Sequence, residues 1–501
     1  MASKRLLLIG LDGATWDVLS PLMEDGCLPN LRKLRDGGAH GILKSNFPPV
    51  TGSAWMSIAT GKDPGENGIF DFLVVDDRKS LGLRPVNSSD YIRNNAVWDR
   101  LGAAGKKVGV VGYPMLYPPY EVNGVMISGL GAPEDGDIFY PADLKERLEK
   151  QIGKHRIYVS FARPQYSNPG VFIRDLEGLI EYNRRLADLL IDESYDFFAF
   201  IISASDFLGH YGWKWWKERS GKHHQTFRDL WKKIDDVVGL MVGKWGEGNI
   251  MVISDHGMGE IRDAFYVNKW LQREGYLALK KSGGGSTFKS SIRKKGLRLL
   301  GKVAPRLADH IDRLRRRRGG APVPFSEQID MEKTRAFALE HSGLGNIYIN
   351  AANGYSELRT EVMSRMRDFF GASGRKLEAY VKEEVFSGEF LDNLPDIVFM
   401  IDDNMTEVIS GTPPGDELFR KHPTMNKTGC HRIDGIYILP PEMKDRTSGG
   451  AQLTLPELAA IIMELMGASG QSPEGDYRAG ASINKEENAE IIDKLRGLGY
   501  L

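Results

Sequence analysis

Ile250-Met251-Val252-Ile253-Ser254-Asp255-His256-Gly257 is an apolar run that closes on a carboxylate, an imidazole and a glycine. A run this short, ended by a glycine turn, predicts a buried parallel strand, and ligands bind at the carboxyl ends of such strands in an open α/β sheet. Asp255 and His256 there can offer one metal an oxygen and a nitrogen donor. They can equally form a hydrogen-bonded turn.

Three further strand ends carry similar residues. Leu6-Leu7-Leu8-Ile9-Gly10-Leu11 leads to Asp12-Gly13, and Phe197-Phe198-Ala199-Phe200-Ile201-Ile202-Ser203 leads to Asp206 with His210 four residues on. Gly429-Cys430-His431-Arg432 precedes the run Gly435-Ile436-Tyr437-Ile438-Leu439. Taken singly, Asp12 reads as a helix cap, Asp206 and His210 as a surface pair, and His431 as a core histidine. Together they place three aspartates and three histidines beside strand ends in a chain with only ten His. Six such donors suffice for two metal sites, the arrangement that clamps the attacking and leaving oxygens in many phosphoryl-transfer enzymes.

A nucleophile is offered by Phe47-Pro48-Pro49-Val50-Thr51-Gly52-Ser53-Ala54-Trp55, which continues to Ala59-Thr60-Gly61. The prolines favour an extended lead-in and Gly52 permits a close turn, so Thr51 is expected at a helix N-terminus whose amides can face an anion. An ordinary capping Thr fits the same pattern, and Ser53 and Ser57 are rival hydroxyls.

These blocks resemble the alkaline phosphatase superfamily, and within it the type I phosphodiesterase/nucleotide pyrophosphatase group with its prokaryotic phosphohydrolase and phosphomutase-like members. The resemblance rests on Gly10-Leu11-Asp12-Gly13, the Thr51 block, Asp206-x-x-Gly209-His210, Ser254-Asp255-His256-Gly257-Met258 and Gly429-Cys430-His431, in the family's order over residues 10 to 431. It implies an alkaline-phosphatase-like α/β fold, a mostly parallel sheet flanked by helices with a smaller inserted lobe. It also implies two divalent ions, usually zinc and sometimes manganese. By carry-over, Asp206, His210 and His431 hold one ion, and Asp12, Asp255 and His256 hold the other together with Thr51. Thr51 is then the nucleophile of a hydrolase that cleaves a phosphodiester or pyrophosphate bond through a phosphothreonyl intermediate. The alternatives are a phosphomonoesterase or phosphomutase of the same superfamily, or a non-catalytic protein that binds anionic surfaces.

One block departs from the family. Nucleotide pyrophosphatase-type members follow a Gly-Ile-x-Asp block with an asparagine that holds a phosphate oxygen. Here Gly68-Ile69-Phe70-Asp71 is followed by Phe72. The oxyanion must lean on backbone amides such as that of Gly52, or on another side chain, which leaves diester, pyrophosphate, monoester and phosphonate substrates open.

With 66 basic and 67 acidic residues, the chain does not have the overall positive charge of a protein that binds nucleic acid by neutralising phosphates. A small phosphorylated substrate is the expected partner. Two cysteines, Cys27 and Cys430, are too few for a disulfide framework. No run approaches the length of a spanning helix, so a cytoplasmic location is expected.

At 501 residues more than one lobe is expected. Residues 1–275 and 421–501 read as the catalytic domain, with Phe265 to Gly275 a loop and short helix. Residues 276–325 read as a basic helical insertion or lid, and 326–420 as a smaller α+β lobe. Lys289 to Arg318 carries twelve Lys/Arg, which suits a solvated helical lid or, as a lesser alternative, a dock on an anionic membrane surface. Tyr211, Trp213, Trp215 and Trp216 read mainly as a helix packed on the sheet, with Trp213 a candidate substrate contact beside Gly52. His223, His224 and His341 are further polar candidates for substrate contact, and each reads rather as a surface residue. The final helix is expected to end with Gly497 as its C-cap.

Overall fold

The computed structural model describes all residues except 1–4, 78–81, 95, 134–135, 162, 193, 247, 281–299, 301–303, 305–306, 308–310, 312–324, 413–414, 422–425, 445–450, 469–482 and 499–501. Its centre is a nine-stranded, mostly parallel sheet in the order 453–454, 39–44, 434–439, 249–253, 6–11, 197–202, 108–113, 124–128, 139–140. Leu6–Leu11 lies in the middle, parallel to Phe197–Ile202 on one side and to Asn249–Ile253 on the other. All six of its residues are buried, as an unbroken apolar run requires in a sheet covered on both faces.

Register brings the strand ends together. Leu11 pairs with Ile202 and Gly10 with Ile253, so Asp12, Ser203 and Ser254 leave the sheet at one edge. After Gly257 the chain forms a short strand, Gly257–Glu260, antiparallel to Gly429–Arg432, which pairs Met258 with His431. That pairing returns the late histidine to the early aspartates.

The helix Thr51–Thr60 is buried at every position. Gly10 has no room for a side chain because Trp55 and Ile201 already occupy the space a Cβ would need, at 2.5 and 2.4 Å. The Tyr113 hydroxyl donates to the Trp55 carbonyl at 2.6 Å, so this helix is seated on the sheet by Trp55 from inside and by Tyr113 from its flank.

A seven-stranded second sheet forms its own core around Phe265, Trp270, Ile347, Phe370 and Phe399. It contains Gly345–Ile349 and Ile397–Ile401 and is covered by the helix Tyr355–Ser373. Residues 263–266, read from sequence as the approach to a loop, are a strand of this sheet, parallel to Thr406–Ile409 and antiparallel to Phe419–Lys421. Phe265 of this strand is fully buried against Phe370 and Phe419, so residues 263–266 add a strand to the second sheet ahead of the 326–420 segment.

The basic stretch 289–318 falls almost entirely outside the described residues; the chain on either side is joined by a bridge between Leu279 and Ile329. Gly497 is not a left-handed cap. The final helix, Lys485–Gly497, runs through it and is capped at Leu498 with φ −91°. Gly497 instead allows close packing, since a Cβ there would lie 3.0 Å from Arg163 Nε and 3.1 Å from Ser160 Cβ. No helix among the described residues is long and apolar enough to cross a membrane.

Candidate active site

Asp12, Asp206, His210, Asp255, His256 and His431 converge at the shared strand edge, each at most 3% exposed. Asp12 and Asp255 follow parallel strands directly. Asp206 and His210 lie one turn apart on the helix Ala204–Lys217, where a spacing of four puts both on one face. His210 Nε2 is 3.3 Å from Asp206 Oδ1, and His431 Nε2 is 3.6 Å from the same oxygen. His256 Nε2 lies 3.3 Å from Asp255 Oδ2 and 3.7 Å from Asp12 Oδ1.

The donor atoms of Asp12, Asp255 and His256 lie within 4.8 Å of one another, as do those of Asp206, His256 and His431. The resemblance assigns His256 to the first group. In the structure its ring also stacks on His431, with centroids 3.7 Å apart. It stands between the two clusters.

The imidazoles face inward in one tautomer, assigned from their hydrogen bonds. The Nδ1 of His210 donates to the Gly429 carbonyl at 2.9 Å, that of His256 to the Gly257 carbonyl at 2.9 Å and that of His431 to the Pro49 carbonyl at 3.1 Å. Each Nε2 is thereby left unprotonated, and a carbonyl on Nδ1 is what orients the ring of a metal-binding histidine. Nε2 of His210 and Nε2 of His431 are only 2.9 Å apart. Two lone pairs cannot bond to each other at that distance, but they can share a cation. Neither oxygen of Asp12, nor Oδ2 of Asp255, has a hydrogen-bond partner among the described residues. Buried carboxylates without donors are costly unless a cation is bound, and a mixed set of carboxylate and imidazole donors suits a divalent metal.

The same crowding governs protonation in the metal-free chain. Burial, reinforced by the Asp255 charge, raises Asp12 well above the usual carboxylate range, and burial does the same to Asp255. Burial lowers all three imidazoles: His256 to about 4, and His210 and His431 also well below their ordinary value, with Lys427 adding to the effect on both. The histidines are neutral and able to ligate near pH 7, and a bound cation would favour the ionised form of the aspartates.

Gly13 sits at the centre. With φ +66°, its amide donates to Asp255 Oδ1 at 3.2 Å. A Cβ there would lie 3.0 Å from Asp206 Oδ1 and 3.3 Å from His256 Cε1.

Thr51 begins its helix and is fully buried. Its hydroxyl lies 3.0 Å from His256 Nε2, and since that nitrogen carries the lone pair, Thr51 donates. The first amides of any helix have no partner within it, so those of Thr51, Gly52 and Ser53 are oriented for an anion. The rival hydroxyls are engaged elsewhere: Ser53 donates to the Val50 carbonyl, and Ser57 is bonded to Asn46.

Trp213, at i+3 from His210, shares the ligand face of its helix. It packs against Gly429, and its Nε1 is buried with no hydrogen-bond partner among the described residues. The other aromatic residues hold the helix in place. Tyr211 stacks on Phe172 at 3.8 Å and donates to the Tyr166 carbonyl, while Trp215 meets His223 and Trp216 meets His224.

Three contacts with the second lobe have no signal in the sequence. His341, read as a surface residue, is 5% exposed. It contacts Asp71 through Nδ1 at 3.0 Å and Tyr348 through Nε2 at 2.9 Å. Lys427 and Glu407 form an ion pair at 2.6 Å, with side chains only 3% and 2% exposed. Burial, the largest single influence, would lower the Lys427 ammonium, but Glu407, Cys430 and Asp206 together outweigh it and the pKa stays above its ordinary value. Asn404 donates to the His431 carbonyl at 3.0 Å and accepts from Arg432 at 3.0 Å. It ends a run of three left-handed residues, Asp402, Asp403 and Asn404.

Comparison with known proteins yields one family. The profile described as type I phosphodiesterase / nucleotide pyrophosphatase matches residues 6–423. No individually curated protein matches the sequence. Among solved structures, phosphonoacetate hydrolase from Sinorhizobium meliloti 1021, seen in complex with phosphonoformate, is 14% identical with a TM-score of 0.53, over 93% of this chain and 96% of that one. An inactive murine ectonucleotide pyrophosphatase/phosphodiesterase 5 in complex with AMP is 13% identical with a TM-score of 0.52, over 94% of this chain and 97% of that one. The human protein of that name is 13% identical with a TM-score of 0.51, again over 94% and 97%. At such identities the likeness establishes the fold, a large mostly parallel sheet flanked by helices.

Proposed function

The chain belongs to the type I phosphodiesterase / nucleotide pyrophosphatase family, and from that membership we propose a metal-dependent hydrolase that cleaves a phosphodiester or pyrophosphate bond with Thr51 as nucleophile. The observation that carries the reading is the facing pair of imidazole lone pairs, 2.9 Å apart, beside buried carboxylate oxygens without donors. Asp206, His210 and His431 would hold one divalent ion, and Asp12, Asp255 and His256 the other with Thr51. Bound there, the ions would favour the Thr51 alkoxide near neutral pH and offset the charge of the phosphoryl group. Zinc suits the mixed nitrogen and oxygen donors, with manganese as the alternative.

The chain's own contribution is position. Thr51 Oγ1 attacks phosphorus in line, the ester oxygen leaves, and a phosphothreonine remains for water to hydrolyse. The first-turn amides at Gly52 and Ser53 face the phosphoryl oxygens, the part played by the asparagine that Phe72 replaces. The Phe72 amide cannot serve, because it donates to Asp71 Oδ1 at 2.7 Å. Trp213, on the ligand face, would cover the apolar part of the leaving group. Two cysteines without a disulfide suit a reducing compartment, and hence the cytoplasm.

The test is metal-stripped protein reloaded with Zn²⁺ or Mn²⁺ and assayed on matched chromogenic phosphodiester and phosphomonoester substrates, with Thr51→Ala as control. Diester turnover that needs both metal and Thr51 is the expected result. A monoester preference would move the assignment to the phosphatase and mutase branch, and turnover that survives Thr51→Ala would refute the nucleophile.

A further inference from the structure

One peptide from outside the nucleophile helix presses on its first turn. A Cβ on Gly52 would lie 3.0 Å from the carbonyl carbon of Asp71 and 3.1 Å from the nitrogen of Phe72, so the 71–72 peptide presses directly on the residue after Thr51. What fixes that peptide also fixes the height of Thr51 above the metal-ligand cluster.

Asp71 fixes it from both sides. Its Oδ1 accepts the Phe72 amide at 2.7 Å and the Ser342 hydroxyl at 2.6 Å. Its Oδ2 accepts the Ser342 amide at 2.9 Å and His341 Nδ1–H at 3.0 Å. His341 is oriented in turn, since its Nε2 meets the Tyr348 hydroxyl at 2.9 Å. The carboxylate is fully buried, which is tolerable because four donors surround it. Three of the four come from residues 341–342, which lie some 270 positions along the chain, in the second lobe.

The donor loop is itself anchored. The Leu339 amide donates to Asn346 Oδ1 at 3.0 Å, and the Val408 amide donates to the Gly343 carbonyl at 3.1 Å. Gly343 has φ +70°, and a Cβ there would lie 3.1 Å from the Glu407 side chain. The second lobe therefore presents His341 and Ser342 on a rigid support.

We propose that His341 and Ser342 are positioning residues for the reaction at Thr51, acting through Asp71 on the peptide that supports Gly52. This rests on the reading of Thr51 as nucleophile. In-line attack demands near-ångström placement, and a displacement of about 1 Å costs on the order of 100-fold in rate. The lobe thus sets the geometry of the chemical step.

The test uses the metal-loaded full chain with His341→Ala, Ser342→Ala and His341→Asn, whose amide nitrogen can replace the Nδ1 donor. Two readouts are taken: kcat and KM on the diester substrate, and hydrogen exchange of the peptide spanning residues 48–60. The expected result for His341→Ala is a kcat lowered by about 10- to 100-fold, KM changed by less than about threefold, and faster exchange in 48–60. Ser342→Ala should move both readouts in the same direction, and His341→Asn should restore most of the loss. A lowered melting temperature with kcat and exchange both unchanged would overturn the proposal and leave a structural tie between lobes. If wild type turns over none of the substrates, the hydrolase reading fails, and the exchange of residues 48–60 alone decides whether His341 positions this helix.

Discussion

Replacing Lys427 by Met would leave the Glu407 carboxylate stranded. The pair is 2.6 Å apart, and its side chains are 3% and 2% exposed, so the remaining charge has almost no access to water. Breaking a buried pair from one side costs about 3–5 kcal/mol, whereas replacing both partners with apolar groups of similar volume is often neutral. At about 1.4 kcal/mol per tenfold, 4 kcal/mol raises the unfolding constant roughly a thousandfold. Lys427→Met and Glu407→Leu should each lower the urea midpoint clearly. The double variant should recover to within about 1–2 kcal/mol of wild type, so that two single losses of about 4 kcal/mol give a coupling energy of about 6–7 kcal/mol. The measurement is urea unfolding of the metal-free protein, followed by both fluorescence and circular dichroism so that a two-stage transition is recognised.

The pair also bears on the metal centre, because the Lys427 charge adds to the lowering of His210 and His431. Removing that charge should strengthen divalent-ion binding in a calorimetric titration. The reasoning fails if Lys427→Met costs less than about 1 kcal/mol, or if the single effects simply add. Either result would mean that the pair is solvated in the working protein.

Burial raises the Asp99 carboxyl to about 7 from 3.8, against the Tyr120 hydroxyl and the Ala96 amide, which favour the charged form. A folded pKa above the unfolded one stabilises the fold fully below pH 3.8 and loses that contribution as pH rises toward 7. The difference corresponds to about 4 kcal/mol at most, so unfolding should become easier across this window, and Asp99→Asn should flatten the profile; an unchanged profile would refute the assignment. Gly52→Ala should lower kcat at least about tenfold, because its Cβ would meet the backbone of residues 71–72, which cannot move aside as the Met115 side chain can; unchanged kcat would show that the helix can ride up without consequence. Chelation should lower the denaturation midpoint, since Asp12, Asp206 and Asp255 are buried together. Excess divalent ion at 100 times its Kd should restore about 2.7 kcal/mol per site, and a midpoint indifferent to metal would count against any site there.

The convergence of these side chains was legible because local pattern and sheet register act in concert. Three apolar runs could only be central strands, parallel strands end on one edge, and Asp12, Asp206, Asp255 and His256 follow those ends directly. The contacts of the second lobe were hidden for a physical reason. Asp71 and His341 are 270 positions apart, and neither helical nor strand periodicity says which loop of one lobe will meet which loop of another. His341 looked like a surface residue because it lies in a short connection between two strands, without an apolar stripe around it. Gly497 misled for the opposite reason: the local cue for a helix end was present, but contact with Ser160 and Arg163 was the constraint that required glycine.

The strain in the Asp402–Asn404 turn tells how firmly the lobes are joined. Left-handed backbone costs a residue with a side chain about 1 kcal/mol or more, and here three such residues follow one another. The turn is held by Arg375 and Arg262 on Asp402, and its product is the Asn404 amide on the carbonyl of His431. With Asp71 anchored beside Thr51 and Glu407 neutralising Lys427 behind His210, the second lobe reaches the ligand cluster at three separate points. Removing residues 326–420 would leave Asp71 without three of its donors, Lys427 without its counter-ion and the His431 carbonyl without one of its donors. Each lost partner of a buried polar group costs about 1–3 kcal/mol, more where the group is charged. Together these penalties rival the whole stability of a typical domain, so the central sheet and the second lobe must fold as one unit.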